Sequence, residues 1–367
     1  MIAWFATKGS GSNDAIRMQK LLSRSPCVEE FPFDRKAKWD SLLRLLRTLR
    51  DRRPRLLIME GTGLAGGLAC LFGRFLWKIP YVVSSGDAVG PFLKAHHPAI
   101  GFAGHIYERW LCRYSAGFIG WTPYLVGRAL TFGSPSGVTA AGWSEEPPKE
   151  ATRVAGAAFR KRLGIPQDHL VIGIVGSLEW NAHCQYCYGY DLVMAAHRSA
   201  RTDISFLIVG GGTGLERLKQ NAGELLGKRV FLPGPVPAEE VPIALAAFDI
   251  ASLPQSVDGV GSFRYTTKLA EYLTAGLPVI TTQIPMAYDL DEGWLWRIPG
   301  GNPWSERYLD GLVDLLARLS ARTIAEKRAR VPSKVREFER EGQIDRISNF
   351  LEELLADMGA ANSREGG

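Results

Sequence analysis

Short apolar runs recur along this 367-residue chain, with helix-forming stretches between them. Residues 2–6, 56–59, 81–84 and 117–121 in the first half, and 170–175, 206–209 and 277–280 in the second, are too short for helices. Helical patterns border them at 14–23, 40–53, 64–76, 123–132, 190–200 and 215–220. Strands that alternate with helices pair in parallel and bury both faces, so the chain reads as α/β. Its length exceeds what one core usually organises, which predicts two domains. The boundary falls in the Gly-, Ser- and Pro-rich segment 133–149, which ends in Glu145-Glu-Pro-Pro-Lys149 and reads as a linker. The first domain is then 1–145 and the second 146–335, with 336–367 left for an amphipathic helix over 344–358 and a disordered tail from Asn362.

The most informative stretch runs from Arg264 to Thr282 and reads as helix, stop, strand. Thr266 or Thr267 can cap the helix, Gly276 supplies a left-handed exit, and Pro278 keeps the helix from resuming. Lys268 and Glu271, three residues apart, share one face beside a helix N-terminus whose N–H groups and dipole favour an anion. That combination suits a nucleoside diphosphate, with Lys268 on phosphate oxygens and Glu271 accepting from ribose hydroxyls. Spacing alone favours a solvated Lys/Glu pair.

Residues 268–280, Lys-Leu-Ala-Glu-Tyr-Leu-Thr-Ala-Gly-Leu-Pro-Val-Ile, resemble the donor-nucleotide motif of family 4 glycosyltransferases. Further landmarks follow the family's order: Ile-Val-Gly-Ser at 174–177, Phe-Leu-Ile-Val-Gly-Gly-Gly at 206–212, Val-Phe-Leu-Pro-Gly at 230–234, and Phe-Asp-Ile-Ala-Ser-Leu-Pro at 248–254. The resemblance implies a GT-B fold, two Rossmann-like β/α/β domains facing across a cleft, with the last helix returning to the first domain. It implies a retaining transfer of a hexose-type sugar from a nucleotide-sugar donor to a hydroxyl of a glycan or lipid-linked acceptor. No metal or other cofactor is expected, since the family meets the leaving diphosphate with helix dipoles and basic side chains.

The same resemblance places Gly9 and Gly11, in the loop after the first strand, near the sugar phosphates. It places Gly176 and Ser177 at the donor, Gly211, Gly212 and Pro233 around the base, and Arg264, Thr266 and Thr267 at the diphosphate. Asp87 lies in a loop past a strand end, where open α/β sheets bind ligands, and in the family a His or Asp near there can meet the transferred sugar. Two departures stand out. Ser177 and Tyr188 occupy positions where the family carries basic residues, so Lys268 carries more of the charge or Arg264 compensates. Counting back to the first acid of the family's E-x7-E pattern lands on Phe263; Asp258 looks like its substitute in an extended loop, with backbone N–H groups around 259–262 as the alternative.

The net charge of +6 points to anionic partners without choosing one; no nucleic-acid role is expected. Leu42, Leu45, Leu46 and Leu49 lie opposite Arg44 and Arg47 on one helix, with Lys36, Lys38, Arg52, Arg53 and Arg55 around its ends. The leucines suit the sheet, and the basic face can attract an anionic membrane surface. Five cysteines, odd in number and scattered, do not form a secreted disulfide framework. With no leader and no spanning run in the sequence, a cytoplasmic protein, peripheral to the inner face at most, is expected.

Several motifs carry less. His183, Cys184 and Cys187 make half a zinc site with no second pair, and His96 and His97 read as surface loop residues. Asp289-Leu-Asp291 resembles a metal–nucleotide motif but sits in a Gly/Trp loop, and Gly210 to Gly214 fails the dinucleotide pattern at Leu215. A nucleotide-sugar epimerase, a dinucleotide oxidoreductase or a non-catalytic scaffold are the alternative readings.

Overall fold

The computed structural model describes residues 1–96, 101–144 and 150–365; His97 and the linker residues 145–149 lie outside it. The chain forms two compact units. The first comprises Met1–Gly142, Phe263–Tyr265 and Arg336–Gly367, and the second Trp143–Ser262 and Thr266–Val335.

In the first unit the elements are β1 (Ile2–Ala6), α1 (Asn13–Leu21), β2 (Val28–Glu30), α2 (Lys38–Arg52), β3 (Leu56–Glu60), α3 (Leu64–Trp77), β4 (Tyr81–Ser85), α4 (Val89–His96), α5 (Gly101–Arg113), β5 (Gly117–Gly120), α6 (Pro123–Thr131) and β6 (Gly137–Thr139). The strands form one sheet in the order β2-β1-β3-β4-β5-β6, every pair parallel. β1, β3, β4 and β5 are buried along their whole length, as strands covered by helices on both faces must be. Leu42, Leu45 and Leu49 of α2 are buried while Arg44, Arg47 and Arg50 are exposed, so the leucine stripe belongs to the core.

The second unit holds α7 (Glu150–Arg162), β7 (Leu170–Val175), α8 (Tyr190–Arg198), β8 (Ile204–Val209), α9 (Leu215–Ala222), β9 (Val230–Gly234), α10 (Val241–Ala246), β10 (Ile250–Leu253), α11 (Thr267–Thr274), β11 (Val279–Thr282), α12 (Met286–Asp289), β12 (Leu295–Ile298), α13 (Glu306–Arg318) and α14 (Ala321–Arg328); α15 (Arg340–Glu365) returns to the first unit. Its sheet runs β12-β11-β10-β7-β8-β9, again all parallel. Counted from β7, this is the 3-2-1-4-5-6 order of a doubly wound nucleotide-binding sheet, whose order reverses between β7 and β10.

Four features differ from the sequence reading. β2 and β6 are three-residue edge strands; β6 lies inside the stretch read as linker, because Phe118 pairs with Gly137 and draws those residues onto the sheet. The loop after β4 is cut short by α4, which starts at Val89. Asp289 and Asp291 lie between β11 and β12, where Asp291 accepts from the N–H groups of Gly293 and Leu295 and pairs with Arg297 at 3.1 Å. α15 stays helical to Glu365, through residues read as tail. No helix among the described residues is long and apolar enough to cross a membrane.

Gly173 of β7 shows how tightly the second core is filled. A Cβ there would fall 2.1 Å from the ring of Phe248, which is itself 2% exposed. Gly173→Ala is therefore expected to cost about 1–3 kcal/mol of unfolding stability. Adding Phe248→Leu should recover part of the loss, and urea midpoints that do not move would refute this packing.

Candidate functional site

The crevice of a doubly wound sheet lies past the carboxyl ends of its strands at the switch in strand order, here past β7 and β10. α11 is fastened at that place by one hydroxyl. Tyr272, fully buried, accepts from the Val175 N–H at the end of β7 (3.4 Å) and donates to the Ser252 carbonyl of β10 (3.3 Å). With Leu269, Ala270 and Leu273 also buried, Lys268 and Glu271 are left on the half-buried side of the helix.

Lys268 lies against the turn after β7. Gly176, at φ +154, has no Cβ, and one built there would meet Lys268 Cε at 2.3 Å and Nζ at 2.8 Å. The amine also stands 4.6 Å over the ring of Tyr188. Tyr188, one of the two residues standing in basic positions, thus gives Lys268 an aromatic face, a cation–π contact in place of a second cation. The ring is fixed in turn: its hydroxyl accepts from Gln255 Nε2 at 2.9 Å, and the Gln255 carbonyl accepts from Thr282 Oγ1 at 2.6 Å. Sequence reasoning did not single out Tyr188 as a partner of Lys268, nor Gln255 and Tyr272 as supports. The only advance signal was the polar Gln255 just past an apolar strand.

Glu271 follows one turn after Lys268. Burial pushes its carboxyl above the ordinary range, while the Lys268 charge pulls it down. Thr266 is the N-cap residue in extended conformation, yet its side chain makes no capping bond, and its buried Oγ1 lacks a partner in the structure. Thr267 begins the helix and is exposed. This end of α11 thus presents N–H donors, a hydroxyl and an ammonium group, a set that suits an oxyanion.

The other candidates divide between the units. Ser177 is exposed beside Gly176. Gly211 and Gly212 belong to a turn docked on the neighbouring one: the Leu178 N–H donates to the Gly211 carbonyl at 2.9 Å, and a Cβ on Gly212 would fall 2.6 Å from the Leu178 carbonyl carbon. Pro233 is exposed near the end of β9. Asp258 has one carboxylate oxygen taken by the N–H groups of Val260 and Gly261, at 2.8 and 2.9 Å. Side chain and backbone donors, posed as alternatives at the donor sugar, are here bonded to each other. Arg264 groups with the first unit, where its Nε donates to Asp87 at 2.5 Å. Gly9 and Gly11 lie in the loop after β1 with φ of 103° and 80°, beside a Lys8–Asp14 ion pair of 2.9 Å. Cys187 is buried in the core and His183 exposed.

Two family models match the chain: one for group 1 glycosyl transferases over residues 169–317, the other for a glycosyl transferase 4-like domain over residues 12–141. No curated protein matches it in sequence. Among solved structures, HepE of Anabaena, determined with UDP and glucose, is similar over 97% of this chain and 100% of its own, with a TM-score of 0.67 and 14% identity. Sucrose-phosphate synthase from Thermosynechococcus elongatus is similar over 97% and 99%, with a TM-score of 0.71 and 14% identity. WaaG, a glycosyltransferase involved in lipopolysaccharide biosynthesis, is similar over 95% and 100%, with a TM-score of 0.63 and 14% identity. At such identity these structures speak to the fold, and the models speak to the family: the chain belongs to the group 1 glycosyltransferases and has their GT-B fold.

Proposed function

We propose that this enzyme moves a hexose-type sugar from a nucleoside diphosphate donor to a hydroxyl of a glycan or lipid-linked acceptor, with retention at the anomeric carbon. The observation that carries the reading is the Lys268 amine, held between Gly176 and Tyr188 beside the first turn of α11, with Glu271 one turn behind it. In this reading the bond from the anomeric carbon to the diphosphate oxygen breaks, and Lys268 with the α11 N–H groups takes up the negative charge that develops. The acceptor oxygen bonds to the same carbon and passes its proton to the leaving phosphate. Glu271 accepts from the ribose hydroxyls and fixes the nucleotide. Asp258 meets the donor sugar through the oxygen its own loop leaves over, and the turns at Gly211, Gly212 and Pro233 let backbone approach the donor. With the leaving charge met in this way the transfer needs no metal, so EDTA should leave turnover unchanged.

A thermal-shift panel of UDP, GDP, ADP, TDP and NAD tests the donor site. UDP comes first because HepE was solved with it. One nucleoside diphosphate should raise the wild-type midpoint, adding about 2.7 kcal/mol of stability at a hundredfold excess over Kd, and Lys268→Ala should abolish the rise. Gly176→Ala should act like Lys268→Ala, because the new methyl group displaces the amine. A response to NAD alone would overturn the proposal in favour of an oxidoreductase, no response in favour of a non-catalytic scaffold, and donor turnover without transfer in favour of an epimerase.

Glu271 gives a second test, through its sign. The folded chain holds the Glu271 proton more tightly than the unfolded chain does. Stability from this group is therefore full below the unfolded carboxylate range and lost as pH rises through the raised folded value. Glu271→Gln should melt higher than wild type at neutral pH without ligand, lose that advantage in acid, and fail to respond to the nucleotide. Wild-type nucleotide affinity should weaken as falling pH protonates Glu271, beginning above the usual carboxylate range. A Gln variant that melts lower at neutral pH and still responds would refute the role.

A further inference from the structure

Helices α3 and α5 leave two rows of large apolar side chains in water. On α3, Phe72, Phe75 and Leu76 are 42%, 54% and 63% exposed; on α5, Phe102, Ile106 and Trp110 are 81%, 40% and 53% exposed. Their spacings of three and four residues align each set along one side of its helix. The rows join through Tyr114, whose ring meets Phe75 edge-on at 4.8 Å and Trp110 at 6.4 Å. Soluble chains rarely leave contiguous apolar surface of this kind without a use for it.

The exposed charges of these two helices have one sign. Arg74, Lys78, Arg109 and Arg113 are exposed on these helices or at their ends. The one acidic residue in either helix, Glu108, is buried: it takes bonds of 2.8 and 2.7 Å from Arg128 and accepts from the N–H groups of Val89 and Gly90. Arg53, just past α2, donates to the Trp77 carbonyl at 3.3 Å and lies 6.0 Å over its ring, extending the basic edge around the end of α3. A second copy of the chain is a poor occupant, because face-to-face pairing would bring like charges together. Aromatic rings bordered by arginine and lysine fit the boundary between acyl chains and anionic headgroups.

We propose that the α3–α5 face docks on an anionic lipid bilayer, its apolar rows entering the headgroup boundary and its basic side chains meeting lipid phosphates. Leu42, Leu45 and Leu49 of α2 are in the core and have no part in this. Arg53, at the end of α2, supplies part of the basic edge, so the membrane contact read in the sequence moves to the neighbouring helices.

The test is cosedimentation of the full chain with vesicles of phosphatidylcholine alone and of phosphatidylcholine mixed with phosphatidylglycerol. Wild type should bind the anionic vesicles, ignore the neutral ones and come off as salt rises. Arg74→Gln with Lys78→Gln should weaken partitioning by about fivefold for each charge removed. Phe75→Ser with Trp110→Ser should abolish binding, while its melting midpoint stays near wild type because both side chains are exposed. Absence of binding to anionic vesicles, equal binding by all variants, or a dimer lost on Phe75→Ser with Trp110→Ser would each overturn the proposal. Vesicle binding reads no sugar transfer, so its outcome is separate from that of the donor-site tests.

Discussion

The arrangement around α11 depends on one buried hydroxyl. By bridging Val175 and Ser252, Tyr272 fastens α11 across the reversal in strand order, and the positions of Lys268 and Glu271 follow from that. The backbone beside them is equally constrained. A Cβ on Gly210 would lie 1.8 Å from the Gly176 carbonyl oxygen, so the turns after β7 and β8 touch main chain to main chain. Rigid turns of this kind hold a binding geometry that side chains on a loose loop would lose.

Charge is distributed with similar economy. In the first unit Arg17 and Glu60 are both buried and lie 3.3 Å apart, with the guanidinium 4.2 Å over Trp121. Burial raises the Glu60 carboxyl to about 7 and lowers Arg17. Arg17 also bonds the carbonyls of Ala140 and Ala141, so this pair ties α1 to the chain just past β6. In the second unit Lys268 has aromatic rather than cationic company. A tyrosine face leaves the N–H groups of the ammonium open to other acceptors, whereas a carboxylate in that place would take them.

Much of this was legible in the sequence, for local reasons. The alternation of apolar runs and helices gave two parallel sheets, and Gly276 does take the left-handed φ of 67° that its place before Pro278 implied. Part of what escaped was set by distance along the chain. Tyr188 and Lys268 are eighty positions apart, and no local pattern announces that their side chains meet. β6 was hidden because three residues become a strand only when β5 offers them an edge. Asp258 resembled a ligand carboxylate in sequence, but the turn it closes is visible only once Val260 and Gly261 are placed. The apolar rows on α3 and α5 carry ordinary core-type residues, and periodicity does not say which side of a helix remains uncovered.

The path of the chain through Phe263–Tyr265 bears on how the protein can be taken apart. These three residues leave the second unit, join the first, and return. There the Phe263 carbonyl accepts from Thr122 Oγ1 at 2.8 Å, and its ring takes the Arg128 guanidinium at 5.4 Å. α15 adds Phe350, whose ring fills the space that a side chain on Gly117 would need. A fragment ending at Gly142 would lack all of these contacts, and one beginning at Trp143 would carry them with nothing to fill. The two sheets are separate, but the polypeptide is sewn through both, so no single cleavage yields two self-sufficient halves.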